Sequence, residues 1–146
     1  MGYKVGSGID EYISNLSNLA VEADEIGKRA VYDGMAVVAD AIRSNIGGIP
    51  TGTGKDGKIT PEEKAGLAAG LGISRIRING GYIDAKTGFA GSTDGRSNAS
   101  IARQVEGGTS KIQKRPFVGT AGRQAKAGAE AAIAKTIEEE INKRMK

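Results

Sequence analysis

Residues 73–89, ISRIRINGGYIDAKTGF, separate this chain from all-helical proteins, because they carry a strand pattern between segments of helical spacing. Across positions 75–78 two isoleucines alternate with two arginines, a period typical of a half-buried strand. Asn79-Gly80-Gly81 then supplies residues that tolerate the positive φ angles of a tight turn. The stretch predicts a β-hairpin near residues 73–89.

The segment before the hairpin has helical spacing. Apolar residues recur every three or four positions over residues 9–42, and Ser7 with Asp10 forms a capping-box pattern at the start. We expect one long N-terminal helix, or two consecutive helices with a kink or a change of register near Gly27 or Gly34.

A glycine-rich stretch follows this helical segment. Residues 47–60 contain five glycines and one proline, so we expect a mobile loop at about 47–60. Thr60 is suited to cap the next helix, Pro61 to occupy its first position, and Glu63 to complete a capping box. Gly70 and Gly72 end this predicted helix.

The chain after the hairpin returns to helical patterns. Residues 91–98 are predicted to be a loop, after which Ser97 or Asn98 caps a short helix that Gly107-Gly108 closes. Beyond Phe117, apolar and alanine residues at helical spacing predict a long C-terminal helix. Its early turns are rich in glycine and alanine, which permits a close approach of another element.

These elements predict an α+β fold in which long N-terminal and C-terminal helices pack on a small antiparallel sheet containing the hairpin near 73–89. No internal repeat or boundary interrupts the pattern, so we expect one domain over residues 1–146. Hydrophobic residues make up 38% of the chain and aromatic residues only 4%. The core should therefore consist mainly of Ile, Val, Leu and Ala.

The composition argues against several classes of function. The chain has no cysteine and no histidine, so it lacks thiolate ligands, disulfides and the commonest general base. No apolar run approaches the roughly 20 residues of a membrane span, and the N-terminus lacks the apolar core of a signal peptide. We expect a protein without catalytic activity, cofactor or metal, made in a cytoplasm and without membrane contact.

Two motif-like segments are better explained by local structure. Residues 52–57, GTGKDG, satisfy the G-x-G-x-x-G pattern, but a helical segment rather than a strand precedes them. Residues 56–63, DGKITPEE, resemble the back half of a calcium loop, yet Gly52 and Gly54 stand where carboxylate ligands belong. A surface loop followed by a helix cap explains both segments.

Glu138–Glu140 are expected to form a solvated face, because consecutive helical residues point about 100° apart.

The formal net charge of +4 is unevenly distributed. Residues 97–146 carry ten basic and five acidic side chains, which favours an acidic partner for this part of the chain. The basic residues include Lys111, Lys114 and Arg115 in the segment 105–117, VEGGTSKIQKRPF. A nucleic-acid-binding role is one alternative, and simple solvation of a loop is the other, since isolated surface charges contribute little.

Three segments in order resemble the tail-component or tail-completion family of long-tailed phages, the gene-product-ten-like proteins. They are residues 66–91 (GLAAGLGISRIRINGGYIDAKTGFAG), residues 100–121 (SIARQVEGGTSKIQKRPFVGTA) and the Ala- and Lys-rich terminal helix. Residues 8–11 also match the Gly-hydrophobic-Asp-Glu start of family members. The most specific motif, Val-Glu-x-Gly-Thr followed by Arg-Pro-Phe, is matched by Glu106, Gly108, Thr109, Pro116 and Phe117. The family often continues with hydrophobic-Arg-Pro-Ala, where residues 118–121 here read VGTA.

The resemblance implies a structural virion protein of the phage tail or neck, assembled in the host cytoplasm. Such subunits form rings, here expected to be hexameric, that complete the tail or join it to the connector. The implied partners are further copies of the chain, the connector or stopper, and the tail-tube or terminator proteins, with the packaged DNA as a further contact. A tail terminator subunit and a small basic nucleic-acid-binding protein are the alternatives.

Within this reading the segment 105–117 is the candidate site. We expect Gly107-Gly108 to end the short helix, Phe117 to anchor the loop in the core and Pro116 to rigidify its exit. Three cations, Lys111, Lys114 and Arg115, should then project towards an acidic neighbour or DNA.

Overall fold

The computed structural model describes residues 10–79 and 82–145 of the chain. Helices and short strands follow in the order α1 (Asp10–Gly47), α2 (Pro61–Gly70), β1 (Leu71–Ile73), β2 (Arg77–Asn79), β3 (Tyr82–Asp84), β4 (Thr87–Phe89), β5 (Ser92–Thr93), β6 (Arg96–Ser97), α3 (Asn98–Gly107) and α4 (Phe117–Met145). The predicted α+β fold with long first and last helices is confirmed. The predicted cap at Ser7 and the turn residues Gly80-Gly81 lie outside the described residues.

Helix α1 runs without interruption through both of its internal glycines, so the alternative of two helices is wrong. The glycines mark places where other elements approach closely. A Cβ at Gly34 would lie 2.7 Å from Cγ1 of Ile133 on α4, and a Cβ at Gly27 would collide with Cδ1 of Ile83 on β3. Each glycine costs a helix roughly 1 kcal/mol relative to alanine, and close packing offsets this cost.

Helices α1 and α4 pack antiparallel. As the residue number increases along α1, the residue number of the partner on α4 decreases. The Arg29 guanidinium lies 2.6 Å from the Glu140 carboxylate, and one turn further along α1 Asp33 accepts a hydrogen bond of 2.5 Å from the Thr136 hydroxyl. Near the other end the Asn45 side chain donates to that of Gln124. The expected close approach of the Gly- and Ala-rich turns is confirmed, since a Cβ at Gly128 would lie 3.3 Å from Val37.

The predicted solvated face at Glu138–Glu140 is wrong for its last member. Glu140 is buried, and its two carboxylate oxygens accept from Arg29 of α1 and from Arg144 one turn later in α4. Glu138 and Glu139 are exposed. Only the position that faces α1 finds cationic partners from both helices, which a pattern within α4 alone cannot reveal.

The predicted hairpin is confirmed. Its strand pairing extends beyond residues 75–78, where isoleucine and arginine alternate. Strands β2 and β3 pair antiparallel, and β1 and β4 continue the same two arms, with Leu71 opposite Phe89. Between the two ladders the first arm has three residues, 74–76, and the second has two, 85–86. The pairing is interrupted there, and the two ladders form separate two-stranded sheets.

The loop predicted at residues 91–98 is instead a small hairpin followed by the start of α3. Strands β5 and β6 pair around Asp94 and Gly95, which have φ angles of 52° and 79°. Asp-Gly with two positive φ angles forms the primed turn that matches the twist of short hairpins. The sequence therefore held the turn residues, but its strands were too short to show alternation.

The two short helices begin as predicted. Thr60 and Glu63 form a reciprocal capping box at the start of α2, with bonds of 3.1 and 3.0 Å. The Ser97 hydroxyl accepts from the backbone of Ser100 at the start of α3. Buried Glu63 also forms a 2.6 Å ion pair with Arg96, which links α2 to the β5–β6 hairpin.

The hydrophobic core lies at the end of the molecule where α1 stops and α4 begins. It is dominated by aliphatic side chains, as the composition predicts, and includes one buried aromatic ring. Its largest members are Ile42, Ile46, Ile49, Ile59, Leu67, Leu71, Ile101, Val105, Ile112 and Phe117. This core fixes the loop between α3 and α4, which contains the candidate site.

Candidate functional site

The loop begins at a glycine that no other residue could replace without strain. Gly108 ends α3 with a φ angle of 75°, in the region that favours glycine. A Cβ at this position would also lie 2.9 Å from Cβ of Lys114. The positive φ angle and the short distance to Lys114 both result from the chain reversal that brings residue 114 back against the end of α3.

Thr109 organises the turn after this glycine. Its hydroxyl accepts hydrogen bonds from the backbone of Lys111 and Ile112, at 3.1 and 2.9 Å, and its own N–H donates to the Ile112 carbonyl. Such a turn satisfies local backbone groups with a side chain. It leaves Ile112 buried and Lys111 exposed.

Glu106 caps helix α4 from outside that helix. Its carboxylate oxygens accept from the backbone N–H groups of Val118, at 2.8 Å, and Gly119, at 3.0 Å. The first N–H groups of a helix lack partners within it, and negative charge is favourable at that end. The resemblance places Glu106 in the motif, but its capping role was missed because the acceptor lies eleven residues before Phe117 rather than beside it.

Phe117 anchors the loop in the core, as expected. Its side chain is buried and its ring centroid lies 5.9 Å from that of Phe89 on β4, at an interplanar angle of 55°. The Phe117 carbonyl accepts from the Asn45 side chain of α1. One residue thus joins the hairpin, α1 and the first turn of α4. Pro116 precedes it, and its carbonyl accepts from Thr120 within that turn.

Backbone bonds join the site to the glycine-rich loop at 47–60. The Gln113 N–H donates to the Gly57 carbonyl, and Gly57 forms a parallel bridge with Ile112. Within the loop, Gly52 donates to the Ile59 carbonyl, and Ile49 and Ile59 are buried. These contacts hold its two ends and one point of its middle, and mobility elsewhere in the loop stays a prediction.

The motif-like residues of this loop serve local structure. Residues 52–57 lie between α1 and α2, and the part of the chain described before them, residues 10–51, contains no strand. The Asp56 carboxylate accepts from the Thr53 backbone. Both carboxylate oxygens of Glu63 already have partners, one in the capping box and one at Arg96. Within residues 10–79 and 82–145, no cluster of three or more acidic side chains could hold a metal ion.

The three cations of the site surround this scaffold. Lys111 and Lys114 are exposed and Arg115 is half-buried, while the Arg115 backbone N–H donates to the Val105 carbonyl at 2.7 Å. Among the described residues, no carboxylate lies within salt-bridge distance of these three side chains. Their charge is therefore available to a partner.

A groove of about 370 Å³ adjoins two of these cations. It lies between the end of α1 and the start of α4, and its walls combine charge, hydroxyl groups and apolar surface. The lining residues include Lys114, Arg115, Pro116, Ser44, Asn45 and Ile49. The arrangement is suited to binding an acidic, partly apolar surface.

The eight predicted site residues thus divide into two groups. Glu106, Gly108, Thr109, Pro116 and Phe117 form or flank the hydrogen-bonded scaffold, whereas Lys111, Lys114 and Arg115 carry charge around its outside. The sequence does not reveal the groove. One of its walls consists of Ser44, Asn45 and Ile49 at the end of α1, which lie far from residues 114–117 in the chain.

No known protein family, curated protein or solved structure matches this chain. Within its described residues, none of the helices combines the length and apolar character needed to pass through a bilayer. The tail-completion resemblance therefore stays a prediction that rests on the residues quoted for it.

Proposed function

We propose that this chain is a structural virion protein of a tailed phage, a ring-forming subunit at the head–tail junction that completes the tail or joins it to the connector. One observation carries the proposal. The residues that match the family motif form or flank a single hydrogen-bonded loop, which holds available cations next to a groove. This is a surface for binding another macromolecule.

The distribution of stability supports the same role. The core is concentrated around the loop, so the loop is held in place before any partner arrives. A preorganised loop loses less conformational entropy on binding. A subunit that must join a closed assembly in one orientation gains from this rigidity.

Contact with DNA is a second candidate, favoured by one specific observation. Residues 103–126 carry six basic side chains and one acidic side chain, Glu106, which is engaged in capping α4. Strong binding to duplex DNA usually needs about six or more phosphate contacts. A nucleic-acid role predicts salt-dependent DNA binding by the isolated protein, whereas a junction subunit needs none.

Electron microscopy of phage lysates tests the proposed function. In the phage that carries this gene, an early stop codon should give full heads beside unattached tails. Tails of normal length would indicate a completion or joining role, and overgrown tails would indicate a terminator. Normal joined particles would contradict the junction role.

Complementation in the same phage makes the test specific. The wild-type gene supplied on a plasmid should restore joined particles. A gene with Lys114→Glu and Arg115→Glu should not, although its product accumulates to the wild-type level. A matched reversal on the glycine-rich loop and the hairpin, Lys55→Glu with Lys86→Glu, should complement like wild type, since both side chains are exposed and neither lines the groove.

A further inference from the structure

The two ends of the α1–α4 pair carry opposite charge. At one end, residues 10–33 contain six acidic and two basic side chains, and the adjoining residues 130–145 of α4 contain four acidic and three basic ones. At the other end, residues 103–126 contain six basic and one acidic. Asp24 and Glu25 are exposed at the acidic end, and Lys111 and Lys114 are exposed at the cationic end.

These opposite charges cannot meet within one chain. Asp24 precedes Asn45, a groove residue, by twenty-one positions of one continuous helix, a distance of about 30 Å. This exceeds the screening length of roughly 8–10 Å at ordinary ionic strength. The complementarity can be used only between molecules.

Helix α1 also extends past its partner at the acidic end. The Arg29–Glu140 pair sets the register, and α4 is described to Met145, five residues beyond Glu140. Five residues before Arg29 is Asp24, so residues 10–23 of α1 continue beyond the described end of α4 by about 20 Å. In the sequence this extension keeps apolar residues at helical spacing, at positions 12, 13, 16 and 19.

Apolar surface is exposed in the same half of the pair. Among the described residues, the large hydrophobic side chains that are most exposed are Tyr32, Ile137 and Met145, at 51%, 37% and 36%. All three belong to the half of the pair nearer the acidic end. The groove at the cationic end offers apolar walls at Ile49 and Pro116 beside its charges.

We propose that the acidic end of the α1–α4 pair of one copy docks on the cationic groove of a second copy. The proposal rests on the proposed function and names the contact that would build its ring. The two surfaces differ, so the contact is head-to-tail, and such contacts close into rings when the rotation between neighbours allows it. Acidic side chains on one copy meet Lys114 and Arg115 on the next, and the exposed apolar residues add buried area.

Charge-reversal variants of the full chain test this contact by light scattering after size-exclusion chromatography. Reversal of the groove (Lys114→Glu with Arg115→Glu) should abolish the oligomer, and so should reversal of the acidic end (Asp24→Lys with Glu25→Lys). An equimolar mixture of the two variants should restore it, because each then presents the charge that the other needs. Lys55→Glu with Lys86→Glu changes the net charge as much as the groove reversal but lies in neither docking surface, so it serves as the matched control and should assemble like wild type.

The outcomes separate this inference from the proposed function. An oligomer that survives both reversals, a wild-type chain that stays monomeric at low salt, or a mixture that fails to assemble would overturn the head-to-tail contact. The junction role would be unaffected, since the stop-codon phenotype tests it alone. If only the groove reversal had an effect and it also removed DNA binding, the groove would bind nucleic acid instead of a second copy.

Discussion

The two ends of the α1–α4 pair are stabilised in different ways. Around the loop, aliphatic side chains and Phe117 pack into a core in which Ile42, Leu67 and Ile101 are fully buried. Towards the acidic end, the helices meet through glycine and through polar pairs such as Arg29–Glu140 and Asp33–Thr136. At that end Ile26 is buried, whereas Tyr32, Ile137 and Met145 are exposed.

This difference indicates which end supplies most of the stability. Burying a large aliphatic or aromatic side chain contributes about 1.5–3 kcal/mol, whereas a surface ion pair contributes at most about 1 kcal/mol. The loop end therefore holds most of the folding free energy. Substitutions at the other end should affect association before they affect folding.

The largest effect is expected at Phe117. Phe117→Ala should lower the free energy of unfolding by about 3–5 kcal/mol, because it leaves a cavity beside Phe89 and α1. Tyr32→Ala, which removes an exposed ring of similar size at the other end, should change it by less than about 0.5 kcal/mol. Urea unfolding of both variants measures the contrast. Equal losses would mean that the two ends are equally important to stability.

A smaller loss is expected at the one buried carboxylate of the polar end. Glu140→Ala should cost about 1–2 kcal/mol, because it leaves Arg29 and Arg144 without their shared acceptor while both remain partly hydrated. The adjacent Glu139 is exposed, and Glu139→Ala should have little effect. Thermal unfolding of the two variants compares neighbouring glutamates, and a matching shift would show that burial of Glu140 contributes nothing.

The cap of α4 should be worth about 1 kcal/mol. Glu106→Ala removes the acceptor for two backbone N–H groups at the start of that helix, a loss comparable to that of an N-cap residue. Glu106→Gln keeps one acceptor oxygen and should recover part of it. Chemical denaturation resolves the series, and a Gln variant less stable than the Ala variant would argue against capping.

The parts of the fold that were predictable are those determined by neighbouring residues. The Thr60–Glu63 capping box, the cap at Ser97 and the end of α3 at Gly107-Gly108 each depend on a few consecutive positions. The same holds for α4, whose helical spacing is visible along its length.

The features that were missed depend on contacts between distant segments. The partner of buried Glu140 is Arg29, which lies more than a hundred residues earlier in the chain. Glu106 caps a helix to which it does not belong. From the sequence alone, Gly34 suggests a kink in helix α1. In the structure this glycine lies against Ile133 of α4. For the candidate site, the sequence identified the loop, its anchor and its cations, and the fold added the cap and the groove.

The smallest effect on folding is expected at Arg115. At this residue we compare the effect of one substitution on stability with its effect on association between copies. The Arg115 backbone donates to Val105, and Arg115→Ala keeps this bond, so stability should change by less than about 0.5 kcal/mol. The side chain lines the groove, and its removal should weaken association between copies. Thermal unfolding and light scattering on one sample give both readouts. A loss of stability as large as that of Phe117→Ala would show that the side chain belongs to the scaffold and not to the assembly surface.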